Sequence, residues 1–141
     1  MGSTSRSWLE ILHEAAEAVR KRTGRLLLER GSLSPAALGE RLDRTAQEVI
    51  LETLHRRALS VRLVSEEGEE TLGSGEITLT ADPVDGTTNL ARGLPPSVVS
   101  LSAARGDRQS GVFAALVSDL ITGSTYRAAA DRGAFRDGRP I

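Results

Sequence analysis

The 141-residue chain, 39% hydrophobic and 26% charged, has the composition of an ordinary soluble protein and is one domain or one part of a larger protein, long enough to bury a proper core. A net charge of −1 gives no general attraction to nucleic acid or to an anionic membrane, and 3% aromatics argue against base-stacking platforms. With no cysteine, disulfides, thiol catalysis and cysteine-ligated zinc are excluded; with no apolar run near the roughly 20 residues of a membrane span and no signal-peptide apolar segment, a cytoplasmic location is expected.

Residues 1–6 read as a loose leader. Ser7-Trp8-Leu9-Glu10 has the form of a capping box, with Ser7 as N-cap and Glu10 at the third helical position. Trp8, Leu9, Ile11, Leu12, Ala15, Ala16 and Val19 then form an apolar stripe at helical spacing, which predicts a first helix over 8–28 that stops at Gly31. Gly24 is its weak point, and His13 reads as a surface residue because no second histidine completes a zinc-binding pair. Residues 32–40 read as a loop in which Ser34-Pro35 opens at most a short helical turn. A second helix is predicted from Asp43, with Leu42, Ala46, Val49, Ile50 and Leu54 inward and Gln47, Glu48, Arg56 and Arg57 on its other faces. Asp43 near that helix start would also suit the helix dipole.

A strand through Arg62-Leu63-Val64 enters an acidic loop, Ser65-Glu66-Glu67-Gly68-Glu69-Glu70. A second strand over 76–81 then meets Asp82-Pro83-Val84-Asp85-Gly86-Thr87-Thr88-Asn89-Leu90. Pro83 lacks an N–H, so the ladder is expected to end there; Gly86 permits a tight turn, and the Thr-Thr-Asn run can open a short helix. Two strand ends delivering Glu and Asp to one place would make a site for a hard divalent cation beside a phosphate held by backbone N–H groups. Read alone, Asp85-Gly86 is an ordinary turn, and most acidic runs are solvated surface.

The breaker cluster Gly93-Leu94-Pro95-Pro96 precedes further strands over 97–104, 110–117, 125–129 and 133–135, joined by turns at Arg105-Gly106-Asp107-Arg108 and 119–123, with Asp137-Gly138 at the end. The fold class that follows is α+β, two long N-terminal helices packed on a largely antiparallel β-sheet. No GxxxxGK[ST] loop is present, which excludes a P-loop NTPase.

Positions 82–89 resemble the Asp-Pro-(Ile/Leu/Val)-Asp-Gly-Thr-(Thr/Ser)-Asn motif of the inositol monophosphatase family, within the magnesium-dependent, lithium-sensitive phosphatases. Ser65-Glu66-Glu67 resembles that family's upstream Glu-Glu motif. Asp43 with Ala46 and Ile50 resembles its Asp-x-x-Ala-x-x-x-Ile helix segment, and Tyr126 through Gly133-Ala134-Phe135 resembles its hairpin. The form Ser-Glu-Glu is closer to archaeal-type members that also hydrolyse fructose 1,6-bisphosphate.

The resemblance implies the N-terminal half of the family's αβαβα fold and a two-metal hydrolysis of phosphomonoesters of the inositol 1-phosphate or fructose 1,6-bisphosphate type. Glu66, Asp82 and the Val84 carbonyl would hold one Mg²⁺, and Asp82 and Asp85 a second, with Mn²⁺ as an alternative ion. Gly86, Thr87 and Thr88 would bind the substrate phosphate, and Thr87 with Asp43 would activate the attacking water. Glu67 and Glu69 are weaker ligand candidates; Gly68-Glu69-Glu70 has the family's spelling, but Glu66 has its position. A second domain carrying a Trp-Asp segment would follow in the family, whereas the one tryptophan here is Trp8. Residues 1–141 are therefore expected to be a single metal- and phosphate-binding domain without the C-terminal domain, incomplete as an enzyme. The expected partners are a small phosphorylated sugar or inositol, and a homo-oligomer or a complementing C-terminal half, with no nucleic acid and no membrane. Two alternatives share the motif: a non-catalytic module that pairs with another chain, and a phosphatase of the 3′(2′),5′-bisphosphate nucleotidase type.

Overall fold

The computed structural model describes the backbone of residues 2–141 and the side chains of residues 4–141. Two helices, α1 (Gly2–Leu28) and α2 (Pro35–Arg56), precede β1 (Val61–Ser65), β2 (Gly68–Leu72) and β3 (Ile77–Asp85). A short helix, α3 (Thr87–Ala91), leads to β4 (Val98–Arg105), β5 (Val112–Asp119), β6 (Thr125–Ala129), β7 (Gly133–Arg136) and β8 (Arg139–Pro140). The eight strands form one sheet in the order β2-β1-β3-β4-β5-β6-β7-β8. Every pairing is antiparallel except β1 with β3, which run parallel. This is the α+β architecture expected from helices first and strands after.

Both helices lie on one face of the sheet, α1 against β4, β5 and β6, α2 against α1, β3 and α3. The predicted stripes are the ones buried: Trp8, Leu9, Ile11, Leu12, Ala15, Ala16 and Val19 from α1, and Leu42, Ala46, Val49, Ile50 and Leu54 from α2. They meet Leu63, Leu79, Ala81, Leu101, Ala103, Ala114 and Leu116, which share the sheet's inner face by register. Trp8 stands edge-on to Phe113 of β5, with ring centroids 6.3 Å apart, and so anchors the first turns of α1.

Several expectations need correction. Residues 2–6 are helical rather than a loose leader, and Ser7 is inside α1 rather than its cap. Ser5 is buried one turn before Leu9 on the same stripe, so packing extends the helix past its local capping signal. The second helix begins eight residues before Asp43, at Pro35, capped by Ser34, whose side chain accepts the Ala37 N–H at 3.2 Å. Leu38 is buried one turn before Leu42 and carries that extension, although Gly39 between them depresses helix propensity. Asp43 therefore lies more than two turns inside the helix, where the dipole explanation for it fails. Residues 68–72 are a strand rather than part of an acidic loop, joined to β1 by the two-residue turn Glu66-Glu67. Finally, β3 does not end at Pro83 but runs on to Asp85 through a bulge against β4.

Candidate metal and phosphate site

The bulge organises the site. Along a regular strand, residues three apart point to opposite faces. Here Asp82 pairs with Ser100 and Asp85 with Val98, so three steps on β3 oppose two on β4. The extra residue brings both carboxylates to the same face, and Pro83, without an N–H to offer the ladder, sits within the irregular stretch.

Glu66 arrives from the other side. The parallel ladder pairs Ser65 with Ala81, so the next residues along, Glu66 and Asp82, stand side by side where β1 ends. Burial raises the Asp82 carboxyl above the usual carboxylate range, and the negative fields of Glu66, Asp85, Asp43 and Glu67 raise it further. The charges acting on Asp82 are thus all of one sign, an arrangement that a cation would relieve. Among the described residues no three His, Cys, Asp or Glu side chains already converge as a closed metal cluster. The donors available are carboxylate and carbonyl oxygens, the chemistry Mg²⁺ takes, and Mg²⁺ keeps several waters, so a sparse protein donor set suits it.

Glu67 occupies the second turn position, exposed, with its N–H donating to the Ser65 hydroxyl at 3.1 Å. Glu69 lies on β2 opposite Val64, and its carboxylate accepts from Arg62 Nε at 2.6 Å. An ion pair of its own, one strand further out, sets Glu69 apart from the carboxylates around Asp82.

Immediately after the bulge, Gly86 caps α3 with φ 91° and ψ 42°. A Cβ there would lie 2.9 Å from the Pro96 carbonyl oxygen, so glycine is required both for the left-handed backbone and for the close approach of the 96–97 segment. Asn89 Nδ2 donates to that same carbonyl at 3.0 Å, and Ser97 Oγ donates to the Gly86 carbonyl at 3.3 Å. The motif's asparagine therefore holds the turn shut.

The Thr87 hydroxyl donates to Asp43 Oδ1 at 2.8 Å, across 44 residues of sequence. The Val84 carbonyl is 3.5 Å from the same hydroxyl, a marginal second acceptor. Gly39, one turn before Asp43, leaves room for the Thr87 methyl, which a Cβ at Gly39 would meet at 3.4 Å. A cavity of about 800 Å³ opens beside this pair, lined by Asp43, Thr87, Thr88, Arg30 and Arg92.

Asp43, Thr87, Glu66, Asp82, Val84 and Asp85 are thus gathered around one end of β1 and β3. Gln47 escaped the sequence reading, which set it on an outer face of α2. It is buried and accepts from the Ser65 hydroxyl at 2.8 Å. Its spacing of four from Asp43 was the available signal.

The model of the inositol monophosphatase family matches residues 6–141. A fructose-1,6-bisphosphatase/inositol-1-monophosphatase of Archaeoglobus fulgidus is 34% identical over 142 aligned positions, covering 96% of this chain and 54% of the relative. An inositol-1-monophosphatase of Rhizobium meliloti is 34% identical over 76% of this chain and 40% of its own length. A protein of Pseudomonas aeruginosa named Nus factor SuhB is 33% identical over 71% of this chain and 37% of its own length. Among solved structures, the inositol monophosphatase from Anabaena superposes with a TM-score of 0.75 at 26% identity, over 99% of this chain and 48% of that one. The chain spans about half the length of the first of these relatives. With the motif at the bulge, the Thr87–Asp43 pair and a family match over nearly its whole length, the chain belongs to the inositol monophosphatase family.

Proposed function

We propose that this chain carries the metal- and phosphate-binding part of a Mg²⁺-dependent phosphomonoesterase acting on a small phosphorylated inositol or sugar. The observation that carries the reading is the juxtaposition of a Thr–Asp hydrogen bond with a one-signed group of carboxylates around Asp82. Glu66, Asp82, Asp85 and the Val84 carbonyl would hold the Mg²⁺. When bound, Mg²⁺ supplies neutralisation of phosphoryl charge and acidification of the attacking water.

The protein's own groups do the rest. Asp43 fixes the Thr87 proton, so the Thr87 oxygen presents its lone pairs outward and can accept a hydrogen bond from a water. As that water attacks phosphorus, its proton passes to Thr87 Oγ1 while the Thr87 proton passes to the Asp43 carboxylate; the ester P–O bond breaks, the departing sugar or inositol oxygen takes a proton from solvent, and Asp43 later returns its own to solvent. The N–H groups of Gly86 and Thr87 and the Thr88 side chain would hold the phosphoryl oxygens at the α3 N-terminus.

The test is calorimetric titration of Mn²⁺ into residues 1–141, with phosphate release measured from inositol 1-phosphate and fructose 1,6-bisphosphate. Divalent binding that Asp82→Asn weakens at least tenfold is expected, with slow turnover by the 141 residues alone because relatives are about twice as long. Mn²⁺ binding indifferent to Asp82→Asn would overturn the site. Brisk hydrolysis by the isolated 141 residues would overturn the expectation of incompleteness.

A second reading, a non-catalytic assembly module, draws support from the relative named as a Nus factor. It predicts a stable complex with another chain that survives Asp82→Asn. A clean monomer in light scattering, with metal-dependent hydrolysis on adding the complementary half, would dismiss it.

A further inference from the structure

We infer that Gln47 is a positioning residue for the proposed metal site, one that sets where the Glu66 carboxylate stands relative to Asp82 by clamping the β1–β2 turn to α2. The inference rests on the metal-site reading above. It also makes a claim that can fail while that reading survives.

Gln47 stands four positions after Asp43, so both project from one side of α2, Asp43 to Thr87 and Gln47 to Ser65 at the end of β1. Gln47 is 9% exposed, and its side-chain oxygen accepts the Ser65 hydroxyl proton at 2.8 Å. The same hydroxyl oxygen accepts the Glu67 N–H at 3.1 Å. Ser65 is in turn held by the ladder, paired with Ala81 on one side and Gly68 on the other. The backbone on both sides of Glu66 is therefore tied down, one side through the sheet and the other through Ser65 to the helix.

The direction of each bond follows from the donors available. Ser65 Oγ takes the backbone N–H of Glu67 as acceptor, so its own proton is free to go to the Gln47 carbonyl. Each bond polarises the other. Without the Gln47 acceptor, the Ser65 hydroxyl is free to turn, and the exposed turn carrying Glu66 and Glu67 is held by the strand ladder alone. Glutamine also supplies its acceptor oxygen without charge, where a carboxylate would add to the negative field already acting on Asp82.

α2 thus bears on the site at two successive turns. Asp43 orients Thr87, and Gln47 orients the turn that carries Glu66. The two strand ends that bring Glu66 to Asp82 are held at a fixed distance from the helix that carries Asp43.

The experiment is Mn²⁺ titration of the 141-residue chain, followed by the paramagnetic signal of free Mn²⁺, for the parent, Gln47→Met, Ser65→Ala, Ser65→Thr and the double variant Gln47→Met/Ser65→Ala. Methionine keeps the buried volume of glutamine but removes the amide acceptor; threonine keeps the hydroxyl. Gln47→Met and Ser65→Ala should each weaken Mn²⁺ binding about tenfold, the size expected for a group that orients a metal ligand. The double variant should be no weaker than the worse single one, because both cut the same bridge. Ser65→Thr should bind as the parent does.

A second readout needs no metal: amide hydrogen exchange at Glu67 in the metal-free chain should speed up in Gln47→Met and Ser65→Ala and stay slow in Ser65→Thr. Loss of melting temperature in Gln47→Met with unchanged Mn²⁺ affinity and unchanged Glu67 exchange would reduce Gln47 to a packing residue and overturn the inference. If Asp82→Asn abolishes Mn²⁺ binding while Gln47→Met leaves it intact, the inference fails and the metal site stands. If the parent binds no Mn²⁺, both fail. Should Gln47→Met not fold, the contrast between Ser65→Ala and Ser65→Thr decides alone.

Discussion

Gly86 shows how much one residue without a side chain can hold in place. Its φ of 91° is open to glycine and strained for anything else, and its neighbour at 2.9 Å from a built Cβ is backbone, which cannot swing away. Gly86→Ala is expected to cost at least about 1–3 kcal/mol, read as a lower urea midpoint at unchanged m-value. The same substitution shifts the α3 N-terminus, so the proposed phosphate binding there should be lost with it. Asp82→Asn acts in the opposite direction on the metal-free chain. It removes a desolvated carboxylate surrounded by like charges, so the variant should melt higher than the parent at pH 7 without metal. Excess Mn²⁺ should favour the parent, raising its Tm by mass action, worth about 2.7 kcal/mol at a hundred times its Kd, against about 1.4 kcal/mol or less for a variant that binds at least tenfold more weakly. A variant that melts lower than the parent in the absence of metal would show that Asp82 is held by a partner rather than crowded by its neighbours.

At the scale of elements, α1 and α2 are held together by their apolar stripes and by ion pairs, Arg22 with Glu52 at 3.4 Å and a bridge centred on Glu14. Glu14 on α1 accepts from Arg56 at 3.0 Å and Arg57 at 2.5 Å at the end of α2. Hydrogen bonds from those two guanidinium groups hold the Glu14 carboxyl below its usual value of 4.5. A carboxyl depressed in the folded state stabilises above its ordinary pKa, and that stability is lost as pH falls through the folded value. The bridge is partly exposed, so Glu14→Gln should cost about 0.5–1 kcal/mol at pH 7, and the difference between variant and parent should vanish in acid. Denaturant curves at pH 7 and pH 3 would check the sign. Inside α1, a Cβ at Gly24 meets nothing within 4 Å, so Gly24→Ala should stabilise by about 1 kcal/mol through helix propensity. Ile50, fully buried between α2 and the sheet, is the contrasting case: Ile50→Ala should cost about 2–5 kcal/mol by calorimetry, since the close-packed core relaxes little around the gap.

The whole molecule adds one thing that no element contains, the convergence of distant segments on one end of the sheet. Glu66 meets Asp82 because β1 and β3 run parallel with Ser65 beside Ala81. Asp43 reaches Thr87 because α2 lies over β3 and α3. Much of this was legible in the chain. The apolar stripes of both helices, the strand before Asp82 and the tight turn at Gly86 all depend on local spacing or turn chemistry, which a sequence displays directly. Element starts were less legible. The Ser7 capping box yielded to burial of Ser5, and Leu38 extended α2 over a stretch that Gly39 makes look like loop. The acidic run concealed a strand, because Glu69 is stabilised there by Arg62 across the hairpin rather than by its own propensity.

By itself, then, the sequence determined the chemistry on offer: carboxylate and hydroxyl oxygens around a glycine turn, carried on amphipathic helices and short strands. Tertiary structure alone decided how they are aimed. The bulge that turns Asp82 and Asp85 to one face exists only against β4, since a residue is extra only relative to a partner strand. Gln47 reads as polar surface until β1 arrives to offer it the Ser65 hydroxyl. Register and burial are properties of pairs of segments far apart in the chain, and local periodicity carries no information about which segment will be the other member of the pair.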